Sequence, residues 1–301
     1  MKTPTYLKQG DTVGIVSTAR KVATEELEYA LDILEKWGLK AVLGKSIEAE
    51  ENQFAGNDAL RASDFQDMMD NPEVKAIWCA RGGYGTVRII DRLDFSEFIK
   101  NPKWVIGYSD VTVLHAHLHN LGVESLHAQM PVQIETKSSE SAQSIKKVLF
   151  GESYHVEFKN NHKLNRPGSA KGHLVGGNLS ILYSLCGSPS AIKTDGKILF
   201  IEDLDEYLYH IDRMMQNLKR NGMLDNLAAL IIGGMSDMND NAIPFGKDAE
   251  SIILDAVEGC DYPVYFDFPA GHVEDNRALI LGREVELTIK ENRIGLNFLK
   301  M

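Results

Sequence analysis

The sequence predicts an α/β protein, with a parallel sheet covered by helices on both faces in its first half and a mixed, strand-rich α+β unit in its second. Two observations carry this. Over the first 150 residues short apolar runs alternate with amphipathic stretches, the rhythm of strands buried on both faces and joined by crossover helices. Beyond residue 170 apolar runs crowd together, with fewer helical stretches between them.

T-V-G-I-V-S at 12 to 17 reads as a buried strand, and Leu27, Ala30, Leu31 and Leu34 then share one face of a helix over 24 to 37 that Gly38 stops. Lys40 to Leu43 is a second strand, Asp58 to Met69 a second helix, and V-K-A-I-W-C-A at 74 to 80 a third strand that ends in R-G-G-Y-G at 81 to 85. A helix near 86 to 92 precedes the strand K-W-V-I-G at 103 to 107, which runs into Y-S-D and a helix over 111 to 120. Ligands of such a sheet bind at the carboxyl ends of its strands. Between about 136 and 170 the composition turns polar around one short strand, Tyr154 to Phe158. This divides the chain into a unit over 1–150, a linker over 151–170 and a second unit over 171–301. In the second unit strands are expected at 197–201, 228–232, 263–266, 277–281, 284–289 and 292–296, with helices at 178–185, 205–220 and 247–257.

Composition excludes several classes of function. Forty-three acidic against 32 basic residues give a net charge of −11, which repels phosphate backbones and argues against nucleic acid as a partner. The longest apolar run, Leu227 to Ile232, is far too short for a membrane span. Cys79, Cys186 and Cys260 form no CxxC pair, so reduced thiols in a cytoplasmic protein are expected.

W-V-I-G-Y-S-D-V-T-V-L-H has the form of a strand-turn-helix elbow that lifts the Ser109 hydroxyl above the sheet edge. Its alternative reading is a helix cap by Ser109 or Asp110. Backbone N–H groups of Asp110 and of the glycine loop, Gly82 and Gly83, suit an oxyanion, and Arg81 suits a carboxylate. That loop also reads as a plain tight turn. Nine histidines compete for the role of base. His272, in the loop P-A-G-H-V-E-D-N, is the preferred one because a polar turn presents an imidazole. Glu202 ends an apolar strand, where a carboxylate requires a partner; Glu202, Asp203 and Asp205 alternatively suit a divalent metal. Cys79 falls inside its strand and reads as core.

G-Y-S-D at 107–110, A-R-G-G-Y-G at 80–85, G-G-N-L-S at 176–180, F-I-E-D at 200–203 and P-A-G-H at 269–272, in that order, resemble the LD-carboxypeptidase family of serine peptidases, which also includes microcin C immunity peptidases. The resemblance implies a Ser-His-Glu triad of Ser109, His272 and Glu202. It implies an oxyanion hole from the N–H groups of Asp110 and Gly83, with Gly82 the alternative, and places Arg81, Gly82 and Tyr108 near substrate. It further implies a flavodoxin-like N-terminal domain, a C-terminal domain with a small β-barrel-like or swivelling β/β/α core, a homodimer, and no cofactor or metal. The implied reaction removes D-alanine from the murein tetrapeptide in cell-wall recycling. The rivals are cleavage of a microcin C-type antibiotic by the same triad, metal-dependent hydrolysis by the 202/203/205 carboxylates, and muropeptide binding without turnover.

Overall fold

The computed structural model describes residues 1–159, 162–290 and 293–299. In chain order the first part contains β1 (Thr12–Val16), α1 (Glu28–Lys36), β2 (Lys40–Leu43), α2 (Asp58–Asp70), β3 (Val74–Cys79), β4 (Trp104–Gly107), α3 (Thr112–Asn120), β5 (Ser125–His127) and α4 (Ser139–Leu149). There follow β6 (His155–Lys159), β7 (Ala170–Asn178), α5 (Leu179–Leu185), β8 (Ile198–Leu204), α6 (Leu208–Arg220), β9 (Ala229–Ser236), α7 (Ala249–Ala256), β10 (Val264–Tyr265), β11 (Leu279–Leu281), β12 (Glu284–Lys290) and β13 (Arg293–Phe298).

Two sheets form. The first has the order β2-β1-β3-β4-β5-β11, parallel except for β11, which pairs antiparallel with β5. Strand order reverses between β1 and β3, so the crevice that binds ligands in doubly wound sheets opens above those two strands. The second sheet has the order β10-β9-β8-β7-β12-β13-β6, its first four strands parallel and the rest antiparallel.

Packing explains why the strands stay where they are. Val13, Ile15, Trp78, Trp104 and Ile106 lie in one apolar cluster on the first sheet. Its other face packs through α3 onto the second sheet, with Val111, Val113, Leu114, Val175, Leu179 and Leu199 in one continuous cluster. Ile198, Leu199, Phe200 and Ile201 of β8 are all fully buried; each such side chain contributes roughly 1.5–3 kcal/mol, which anchors the acidic end of that strand. The side chain of Asn57 caps α2 by accepting from Leu60 N–H at 2.8 Å.

Four elements differ from expectation. Residues 86–92 form two 3₁₀ turns, Thr86–Arg88 and Ile90–Arg92. The Thr86 N–H is taken by the Asp110 carboxylate at 2.8 Å and its hydroxyl by Thr18, which ties the segment to neighbouring loops. Residues 139–149, within the stretch of polar composition, form the amphipathic helix α4, capped by Ser138. Gly176, Gly177 and Asn178, which have the composition of a turn, end the central strand β7. A Cβ at 176 would overlap the Phe200 carbonyl, so the glycine marks a close backbone approach between strands. The helix expected from 205 begins at Leu208, because β8 continues to Leu204. Residues 160, 161 and 292 of the expected linker and last strand lie outside the described residues.

Candidate active site

The carboxyl ends of β3, β4 and β8 and the loop between β10 and β11 supply the site. β4 runs out at Gly107, and Ser109 opens a 3₁₀ turn that feeds α3. Ser109 has φ of 62°, a left-handed conformation that costs a non-glycine residue on the order of 1 kcal/mol or more and that clusters at functional turns. Asp110 is buried, and its side chain is committed to Thr86 N–H. Burial pushes its carboxyl above the usual range, against the bonds from Thr86 and the charge of Arg61. β3 delivers the glycine loop to the same place: a Cβ on Gly82 would stand 3.1 Å from Ser109 Cβ and 3.2 Å from its Oγ.

The second sheet brings the acid and the imidazole. Glu202 is wholly buried near the end of β8. Its Oε2 accepts from His272 Nδ1 at 2.6 Å and from the His272 backbone N–H at 3.2 Å. A Cβ on Gly271 would stand 2.7 Å from that oxygen, so the approach of the loop requires glycine there. The loop is held by Asn276, whose Oδ1 accepts from Gly271 N–H at 2.8 Å, and by the Ser236 hydroxyl, which donates to His272 O at 2.7 Å. Burial alone would lower the His272 pKa; the Glu202 carboxylate, with Asp203 behind it, outweighs burial and raises it. Burial would raise Glu202, and the charge and hydrogen bond of His272 hold it below its ordinary value.

Two contacts join the halves of the site. The ring of Tyr108, the residue before Ser109, packs on the His272 ring with centroids 4.8 Å apart. Thr112 Oγ1, at the start of α3, accepts from Asn178 N–H at 3.0 Å, and Asn178 lies in register with Glu202. Among the described residues Ser109 Oγ makes no hydrogen bond; such contacts often tighten only when substrate is bound.

The other sequence candidates fall elsewhere. Arg81 donates to Glu26 at 3.3 Å and to Lys21 O at 3.4 Å. The three clustered carboxylates take separate partners. Glu202 holds His272. Asp203 accepts from Asn178, Ser180 and Leu204, and burial pushes its carboxyl up to about 7. Asp205 accepts from Asn239. Among the described residues no group of three His, Cys, Asp or Glu is arranged to hold a metal. Cys79 is buried in β3, where burial pushes its thiol up to about 12, which keeps it a neutral core residue. Both nitrogens of His115 are used, by Ser125 and by Gly107 O. His127 is the imidazole that sequence reasoning underweighted: it is fully buried between Tyr108 and Phe200, and neither nitrogen has a partner among the described residues.

A strained serine turn that abuts a glycine loop, and a buried Glu-His pair packed against the neighbouring Tyr108 ring, are the parts a serine hydrolase requires. The chain belongs to the LD-carboxypeptidase family: residues 13–128 match the LD-carboxypeptidase N-terminal domain and residues 171–287 the LD-carboxypeptidase C-terminal domain. It is 37% identical to a probable murein peptide carboxypeptidase of Bacillus subtilis, over 96% of this chain and 92% of that protein. A muramoyltetrapeptide carboxypeptidase from Oxalobacter formigenes superposes with a TM-score of 0.87 at 27% identity, covering 96% of this chain and 99% of that one. A microcin C7 self-immunity protein of Escherichia coli is 26% identical over 96% of this chain and 94% of its own length.

Proposed function

We propose that this carboxypeptidase is a serine enzyme that releases the terminal D-alanine of the murein tetrapeptide L-Ala-γ-D-Glu-meso-diaminopimelate-D-Ala through an acyl-enzyme on Ser109. The observation that carries the reading is the buried 2.6 Å bond between His272 Nδ1 and Glu202, which leaves Nε2 as the nitrogen free to take a proton. His272 accepts the Ser109 proton as the hydroxyl attacks the diaminopimelate carbonyl, then delivers it to the departing amine. Water repeats the sequence on the ester. Backbone N–H groups of Asp110 and of Gly83, or Gly82, face the developing oxyanion. Glu202 fixes the tautomer and stabilises the imidazolium. The higher identity to the murein enzyme than to the antibiotic immunity protein favours the murein substrate. The three free cysteines suit the cytoplasm, where recycled murein peptides are processed.

Mass spectrometry of a muropeptide mixture before and after incubation tests the reading. Loss of one alanine from tetrapeptides is expected. Cleavage of an aminoacyl-nucleotide analogue with tetrapeptides left intact would favour the antibiotic-directed reading.

The pKa of His272 sets the acidic limb of the rate profile. A base must be neutral to accept a proton, and Glu202 raises His272 above the ordinary value of 6.5. kcat/KM is therefore expected to fall as pH drops through a midpoint above 6.5. A limb centred well below that value would contradict the assignment of His272.

A further inference from the structure

An exopeptidase must read the free carboxylate of the residue it removes, and this inference rests on the carboxypeptidase reading above. We propose that Arg20 is the specificity-determining residue that binds the terminal carboxylate of the substrate. Arg20 lies in the loop after β1, and the glycine loop follows β3, so the two flank the crevice where the strand order of the first sheet reverses. The stem of the arginine lies directly on Gly83: a Cβ there would overlap Arg20 Cδ and stand 2.6 Å from Cγ and 3.4 Å from Nε. Gly82, one residue before, abuts Ser109. Ser109 and the arginine stem thus each abut one of two consecutive glycines.

Partners separate the cations that border this loop, and the buried Arg61 is paired with Asp58. Arg81 is paired with Glu26, and Lys21 with Glu50 at 2.5 Å. Arg20 is exposed, and its guanidinium makes no hydrogen bond or ion pair among the described residues. In a chain of net charge −11 with 43 acidic residues, an arginine without a carboxylate partner at a ligand crevice is available for a carboxylate that arrives with the substrate. The loop is also well anchored. Ser17 Oγ donates to Arg20 O at 2.6 Å, and the buried Arg61 donates to Thr18 O at 2.6 Å and to Gly85 O at 3.0 Å, tying the Arg20 loop to the glycine loop. In the leaving D-alanine three covalent bonds separate the scissile carbonyl carbon from the carboxylate carbon, a span of under about 4 Å. A carboxylate reader must therefore sit close to the nucleophile, and the Arg20 stem lies on the glycine next to the one that abuts Ser109.

The test compares the tetrapeptide with the same peptide carrying a C-terminal amide. Arg20→Ala is expected to raise KM for the free acid by about 10- to 100-fold with kcat within about threefold, and to change amide kinetics by less than about twofold. Arg20→Lys, a point charge without the planar fork, is expected to fall between. Equal losses on acid and amide, or an unchanged acid, would overturn the assignment. Should the wild-type protein release no D-alanine at all, the preceding reading fails separately, and Arg20 is judged by calorimetric binding of the two peptides. A preference for the acid that Arg20→Ala abolishes supports it, and equal binding of both overturns it.

Discussion

Ser109→Ala should lower kcat/KM on the tetrapeptide by at least about 10³-fold while the protein folds normally. The hydroxyl is the group that forms the ester, and nothing else at the elbow replaces it: Tyr108 is packed on His272 and Asp110 is committed to Thr86. Folding is insensitive because Ser109 Oγ has no hydrogen bond to lose among the described residues and alanine inherits the same left-handed strain at φ of 62°. Ser109→Gly separates the two contributions. It is expected to be equally inactive but more stable than Ser109→Ala by about 1 kcal/mol, because glycine occupies that backbone region without steric cost. Stability is read from chemical denaturation and activity from D-alanine release. Turnover retained in either variant would remove Ser109 from the mechanism, and a glycine variant no more stable than the alanine one would remove the strain.

Local chemistry made the first sheet readable. Its central strands are buried on both faces, so V-G-I-V and A-I-W-C-A stand out as unbroken apolar runs, and strand-to-helix alternation does the rest. β7 was hidden because A-K-G-H-L-V-G-G-N carries the glycines of a turn, and their use as a close approach to β8 exists only once the two strands lie side by side. The site divides along the same line. Ser109 and Glu202 are marked by where they fall, on a strand-glycine-turn and at the end of a buried strand. His272 is set apart from eight other histidines in the sequence only by its polar turn, since its deciding distinction is a bond to a residue 70 positions away. Arg20 carried no signal at all. What sets it apart from Lys21 and Arg81 is the absence of a partner, and partners are assigned by the fold.

Glu202→Gln should cost about 10²- to 10⁴-fold in kcat/KM and move the acidic limb of the profile to lower pH. The amide has the carboxylate's shape, so the geometry of β8 is kept, but the negative charge opposite the imidazole is lost. That charge does two things. It outweighs the burial that would otherwise depress the His272 pKa, and it stabilises the imidazolium that forms as Ser109 attacks. Without it, burial governs: His272 becomes a weaker base, stays neutral to lower pH, and transfers the proton less readily. The amide also has a poor fit. Turning its oxygen toward the two His272 N–H groups aims its NH₂ at the Oε1 position, which is buried and has no partner among the described residues. That unsatisfied donor adds on the order of 1–3 kcal/mol of destabilisation. The two effects differ in their sensitivity to pH: the cost of the unsatisfied donor is constant across the neutral range, whereas the rate deficit narrows as pH falls below the wild-type limb. A variant that loses activity with its acidic limb unmoved would show that Glu202 supports the loop without tuning the base.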